Sequence, residues 1–165
     1  MKIPLMNATF IFFALGCNGS HAREPDLLPK EQRATRILVD KSDRLLTLYR
    51  DDAVIAQYRV RLGANPEGDK VQYGDERTPE GNYEIDSKNA ESKFHLGLHI
   101  SYPNAQDRSE AEDKKVDPGG AIMIHGGNAW WRPFNWTDGC IAVSNREIEE
   151  IWKRVGTGTP VTIVP

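Results

Sequence analysis

Apolar and polar residues alternate along much of the chain with the two-residue period of half-buried strands. Val54 to Leu62 alternates in this way from Ala56 onward, and before it Ile37-Leu38-Val39 and Leu45-Leu46-Thr47-Leu48-Tyr49 are apolar runs, the three separated by the polar turns Lys41-Ser42-Asp43 and Asp51-Asp52. β-Branched and aromatic residues joined by connections this tight predict an antiparallel meander. Gly63 to Gly81 is dense in Gly, Pro, Asn and Asp, which predicts a long ordered loop. Asn82-Tyr83-Glu84-Ile85 resumes strand character. From His95 to Ile100 the alternation puts Leu96, Leu98 and Ile100 on one face, with His95, Gly97 and His99 on the other. Residues 103–120 are polar, and Asp107, Glu110, Glu112 and Asp113 predict a solvated acidic loop. Ala121-Ile122-Met123-Ile124 reads as a short buried strand ending in His125. One helix is clearly marked: Ser144 and Glu147 form a capping box, and Ile148, Ile151 and Trp152 recur at helical spacing. Gly156 ends it, and Val161-Thr162-Ile163-Val164 supplies a last strand. The class is mainly β with one or two helices (α+β), without internal repeats.

The N-terminus follows another pattern. Lys2 carries a single positive charge, and Phe10-Ile11-Phe12-Phe13-Ala14-Leu15 is apolar but too short to span a bilayer. Together with the small residues of Ser20-His21-Ala22, this reads as a signal peptide over residues 1–22, cleaved after Ala22. A competing reading takes Ala14-Leu15-Gly16-Cys17 as a lipoprotein signal ending at residue 16, with Cys17 acylated as a lipid anchor. Either way the protein is exported, with the periplasm as its compartment. Residues 23–34, polar with Pro25 and Pro29, predict a linker into a folded domain over residues 35–165.

Bulk properties narrow the function. The chain has 165 residues, a formal net charge of −3 and no run of five basic residues, which speaks against a nucleic-acid partner. Of its two cysteines, Cys17 is either removed or acylated, leaving Cys140 as the one usable thiol in an oxidising compartment. His125-Gly126-Gly127 and Thr137-Asp138-Gly139-Cys140 then stand out, base and nucleophile types fifteen residues apart. A free thiol is only about 3% ionised at neutral pH. Bringing its pKa to about 6 needs about 3.4 kcal/mol of preference for the charged form, which a nearby imidazolium and backbone N–H groups supply. Gly139 lets the backbone approach a substrate closely, and its N–H is a candidate oxyanion donor.

Read whole, this region resembles the L,D-transpeptidase catalytic domain (YkuD-type). His125-Gly126 matches the family's His-Gly pair, and Thr137, Gly139, Cys140 and Ile141 match its second motif. Gly74-Asp75-Glu76-Arg77-Thr78-Pro79-Glu80-Gly81 looks like its "TPxG" segment. The resemblance covers roughly residues 35–165 and implies an L,D-transpeptidase-like β-sandwich. It also implies a Cys140 nucleophile activated by His125, with the Gly126 carbonyl orienting the imidazole. The implied substrates are peptidoglycan stem peptides, cut through a thioester that an amine or water then resolves, without metal or cofactor. Two positions depart from the pattern: Asp138 replaces the family's usual His, and Ala142 its Arg. The segment Trp136 to Asn145 instead resembles a murein-transpeptidase branch that includes an amidase releasing a wall-attached lipoprotein. Transpeptidase, L,D-amidase or carboxypeptidase, and an inactive wall-binding module therefore remain three readings, each for a chain acting as a monomer.

Further polar and aromatic residues join the candidate site. Asp138 is placed to bond His125 or a substrate amine, or to stabilise a turn; Thr137 is a substrate contact or a turn residue. Arg77 and Arg132 are candidates for substrate carboxylates, given the missing Arg at position 142. Trp136, with Trp130, Trp131 and Phe134, is a candidate wall or lid over a peptide. His95 and His99 either line the cleft or face solvent; about 13 Å apart on one strand, they are too distant to share a metal ion.

Overall fold

The computed structural model describes residues 25–127 and 135–165. Its strands in chain order are β1 (Arg36–Asp40), β2 (Leu45–Arg50), β3 (Ala53–Arg59), β4 (Leu62–Gly63), β5 (Gly81–Asn89), β6 (Gly97–Ile100), β7 (Met123–His125), β8 (Asn135–Thr137), β9 (Ile141–Ala142) and β10 (Pro160–Val164). Two α-helices, α1 (Ala105–Lys114) and α2 (Asn145–Arg154), and a short 3-10 helix at Lys30–Gln32 complete the described part. The fold is mainly β with two helices, as predicted.

The meander forms as the alternation requires. Ile37 faces Leu48 across β1 and β2, and Leu46 faces Tyr58 across β2 and β3. Beyond it the order departs from the chain. β10 returns from the C-terminus to lie parallel to β1, pairing Ile37 with Val161, and so becomes a central strand. β5 then serves two halves of one sheet: Tyr83 faces Val161 of β10, whereas Ile85 faces Ile100 of β6. A register shift between Ile85 and Ser87 marks the change of partner, the irregularity that lets a strand turn a sandwich corner. The sheet runs β3-β2-β1-β10-β5-β6-β7-β9, with β4 and β8 paired separately. Ile37, Val39, Leu46, Leu98, Ile124 and Ile141 carry its core. Into that core α2 buries Ile148, Ile151 and Trp152, each 0% exposed. Its capping box is the predicted one, Ser144 Oγ accepting from Glu147 N and Glu147 Oε2 from Ser144 N.

Several elements differ from the sequence reading. Residues 103–120 are not a loop, because α1 occupies ten of them. It is polar nearly all round, so apolar periodicity has nothing to detect; its signal is the capping box Asn104…Asp107. Nor is Asp107 solvated: it is 8% exposed, accepts from Tyr83 Oη at 3.2 Å, and burial raises its carboxyl. β3 stops at Arg59, β5 runs on to Asn89, and His95 lies outside β6 with a φ of 79°.

The described part of the expected linker is docked. Pro25 O accepts from Trp152 Nε1 at 3.0 Å, while Leu28 N and Ala34 N donate to Lys153 O and Arg154 O at 2.8 Å each. The signal-peptide reading of residues 1–22, Cys17 included, lies outside the described residues.

Candidate active site

β7 ends in His125, which is 1% exposed. Its Nδ1 lies 2.6 Å from the Gly126 carbonyl oxygen. A carbonyl only accepts, so Nδ1 carries the proton and Nε2 is left as the basic nitrogen. Nε2 is buried and has no hydrogen-bond partner among the described residues. The ring is held on two sides: Phe94 stacks on it at 4.5 Å and 20°, and Trp136 meets it edge-on at 5.9 Å. Burial pushes the imidazole below its ordinary 6.5; the Gly126 carbonyl opposes this and the charge of Lys93 adds to it. Gly126 has no room for a side chain, since a Cβ there would stand 2.8 Å from Phe94 O and 2.9 Å from Ile148 Cγ2.

The parallel pairing of β7 with β9 sets Ile124 against Ile141 and His125 against Ala142. Cys140, just before β9, is thereby carried alongside Met123, on the strand that bears His125. Its thiol is half-buried and donates to Ala121 O at 3.7 Å. Burial raises the thiol; the Met123 backbone N–H works in the opposite direction, Asp138 adds to the rise, and Lys70 and Lys93 lower it. Burial thus works against the charged form of both groups, against the ion pair anticipated from the sequence. That arrangement suits a base that takes the thiol proton only as the bond to substrate forms.

The turn before Cys140 is held from within. Thr137 Oγ1 donates to Cys140 O at 2.6 Å and accepts from Gly139 N at 3.3 Å. Thr137 is thus a turn residue, and the Gly139 N–H, expected at an oxyanion, is already engaged. Gly139 itself has a φ of 115°, and a Cβ on it would stand 2.5 Å from Arg77 O. Around His125 and Cys140 opens a cleft of about 950 Å³, whose walls include Tyr73, Lys93, Phe94, Trp136 and Asp138. Among the described residues, no three His, Cys, Asp or Glu side chains gather to hold a metal ion.

Residues 34–163 match the YkuD family, the L,D-transpeptidase catalytic domain. The chain belongs to that family. Its fold recurs in the helical cell shape determining protein Pgp2 from Campylobacter jejuni (26% identity, TM-score 0.61), over 77% of this chain and 46% of that one. It recurs in Bd1075 of Bdellovibrio bacteriovorus (26%, TM-score 0.60), over 84% of this chain and 54% of that one. An L,D-transpeptidase from Xylanimonas cellulosilytica (16%, TM-score 0.55; 82% and 63% covered) shares the fold alone. This chain spans about half the length of the first two relatives. No curated protein matches it. Membership places the chain in a family defined by an L,D-transpeptidase catalytic domain.

Within the YkuD domain the candidate residues divide. His125 and Cys140 line one cleft with Trp136, Thr137 and the exposed Asp138, whereas Gly126 and Gly139 stand beside them in the backbone without lining it. Arg77 is not among the lining residues: its Nη1 donates to Asp69 O at 3.3 Å and its carbonyl backs Gly139, so it supports the turn. His95 and His99 also miss the cleft. Their ring nitrogens lie 2.7 Å from Glu149 Oε1 and Asp86 Oδ1, so each histidine is paired at the surface. Arg132, Trp130, Trp131 and Phe134 lie outside the described residues. Sequence reasoning missed Phe94, Lys93 and Tyr73, which stand in irregular segments without apolar periodicity; only the packing of β6 and β7 shows that Phe94 reaches the imidazole.

Proposed function

We propose that this YkuD domain is a cysteine L,D-transpeptidase of peptidoglycan. One observation carries the reading: His125 Nδ1 is committed to Gly126 O, leaving a buried, unpartnered Nε2 at the cleft that Cys140 shares. Nε2 takes the thiol proton as Sγ attacks the carbonyl of the third stem residue. The imidazolium then protonates the nitrogen of the terminal D-alanine, which leaves and produces a thioester. An acceptor amine attacks the thioester, gives a proton to Nε2, and releases the cross-linked product as the proton returns to Sγ. The lowered affinity of His125 for protons keeps the base neutral at physiological pH. Asp138, exposed at the cleft, meets the acceptor's ammonium.

The enzyme is exported to the periplasm through residues 1–22, either freed after Ala22 or anchored through Cys17, and acts as a monomer. The name of the Campylobacter relative supports a role in cell shape, through remodelling of the wall. The branch resemblance of Trp136 to Asn145 supports a wall-attached lipoprotein as an acceptor or substrate.

The test is mass spectrometry of muropeptides incubated with the enzyme and with its Cys140→Ala form. Dimers or D-amino-acid exchange products that require Cys140 support transpeptidation. Loss of a stem residue or attached peptide without such products makes the enzyme an L,D-carboxypeptidase or amidase. Equal function of the Cys140→Ala form leaves a wall-binding module and refutes the catalytic reading.

A further inference from the structure

One cation at the cleft has no part in the chemistry above. Lys93 lies between β5 and β6, exposed to solvent, and lines the cleft together with Phe94, His125 and Cys140. Its Nζ stands 5.0 Å from the centroid of Phe94, the ring that stacks on His125. Its charge is felt by both reacting groups, since it lowers the proton affinity of His125 and of Cys140. The cleft's other lysine is committed elsewhere: Lys70 is almost wholly buried, with Nζ 2.7 Å from Asp75 Oδ1 and 3.0 Å from Gln72 O. Lys93 has no carboxylate within ion-pair distance among the described residues. The remaining charged walls are Glu76, Glu91 and Asp138, all acidic.

We infer that Lys93 is a specificity residue, binding the terminal carboxylate of the residue expelled from the donor stem. The inference rests on the reaction proposed above and adds the feature of the donor that the cleft reads. A leaving residue that ends its stem carries a carboxylate about 4 Å beyond the scissile carbonyl, one residue along the chain. A carboxylate this close to Cys140 is repelled by Asp138, Glu76 and Glu91 and attracted by Lys93, which among the described lysines of the cleft is the one without a carboxylate partner. The long lysine stem allows Nζ to follow it. The domain therefore selects stems that end one residue past the cut, and disfavours donors that are amidated or extended there.

The test compares a synthetic tetrapeptide stem bearing a free C-terminal D-alanine with the same stem ending in D-alaninamide, following release of each leaving group by mass spectrometry. The proteins are the wild-type chain, Lys93→Gln and Lys93→Arg. Wild type is expected to favour the free acid by about tenfold in kcat/KM, at the low end for a charge-assisted contact because Lys93 is open to water. Lys93→Gln is expected to lose the preference for the acid over the amide through KM, and Lys93→Arg to keep it. Equal turnover of acid and amide by wild type overturns the inference, as does a Lys93→Gln protein that slows on both alike, and either leaves the Cys140 chemistry standing. Wild type that releases neither leaving group refutes the underlying reaction as well.

Discussion

Four glycine-to-alanine substitutions separate two demands on the backbone, space and handedness. At Gly156 an added Cβ meets nothing within 4 Å and φ is ordinary; at Gly158 the space is equally open but φ is 79°. At Gly126 φ is ordinary, but Phe94 O, Asn145 Oδ1 and Ile148 Cγ2 all stand within 2.9 Å of the new atom. At Gly139 both demands coincide, with φ at 115° and Arg77 O at 2.5 Å. Gly156→Ala is expected to be neutral or up to about 1 kcal/mol more stable, because alanine restricts only the unfolded chain. Gly158→Ala costs about 1–2 kcal/mol of handedness strain. Gly126→Ala costs about 1–3 kcal/mol of overpacking. Gly139→Ala carries both terms, about 2–5 kcal/mol. At this chain length each kcal/mol moves the melting temperature by about 3–4 °C, so Gly139→Ala melts about 6–20 °C below wild type. Thermal melts by circular dichroism read the series, and muropeptide turnover on the folded fraction reads the site. Turnover falls about a hundredfold in Gly126→Ala and Gly139→Ala, because the Gly126 carbonyl that holds His125 and the turn that holds Cys140 are displaced. It stays at wild-type level in the other two. A Gly139→Ala protein as stable as Gly158→Ala, or a Gly126→Ala protein as active as Gly156→Ala, refutes the reasoning.

Other consequences are measurable separately. Thr137→Val removes the hydroxyl that holds Cys140 O and Gly139 N, and is expected to cost about 1–3 kcal/mol in a chemical melt together with a loss of kcat; an unchanged kcat contradicts its turn-holding role. With the thiol raised by burial, iodoacetamide labelling of Cys140 should stay slow at neutral pH and accelerate only above the ordinary thiol range, about pH 8.5; fast labelling at pH 6 contradicts a neutral resting thiol. Because His125 is held below 6.5 when folded, the unfolded chain takes up this proton first as pH falls. Its contribution to stability is therefore whole above 6.5 and is lost as pH falls from there through the folded value; denaturant midpoints between pH 7 and 5 measure it. Phe94→Leu opens the imidazole to water and should move the acid limb of kcat/KM upward, toward 6.5; an unmoved limb removes Phe94 from the tuning of the base.

The first three strands, α2 and the His125 and Cys140 motifs were legible in the sequence, because each depends on neighbours a few residues away. Alternation marks a strand that buries one face, and Ser144 with Glu147 caps a helix whose apolar stripe follows at once. By the same logic α1 was invisible to periodicity, because a helix that buries little more than Asp107 and Ala111 has no stripe to find. His95 and His99 looked like a pair for the cleft because a strand face says which side chains share a side, but not which carboxylate stands across from each. What only the tertiary structure decided are relations between distant segments. The insertion of β10 beside β1 and the switch of β5 between partners are two of them. The parallel seating of β9 against β7, which carries Cys140 to the strand bearing His125, is a third. The protonation of that pair belongs to the same class. A Cys-His motif names the two groups, but whether they rest as ions or neutral depends on the solvent that Phe94, Trp136 and the sheet exclude, and burial is a property of the assembled fold.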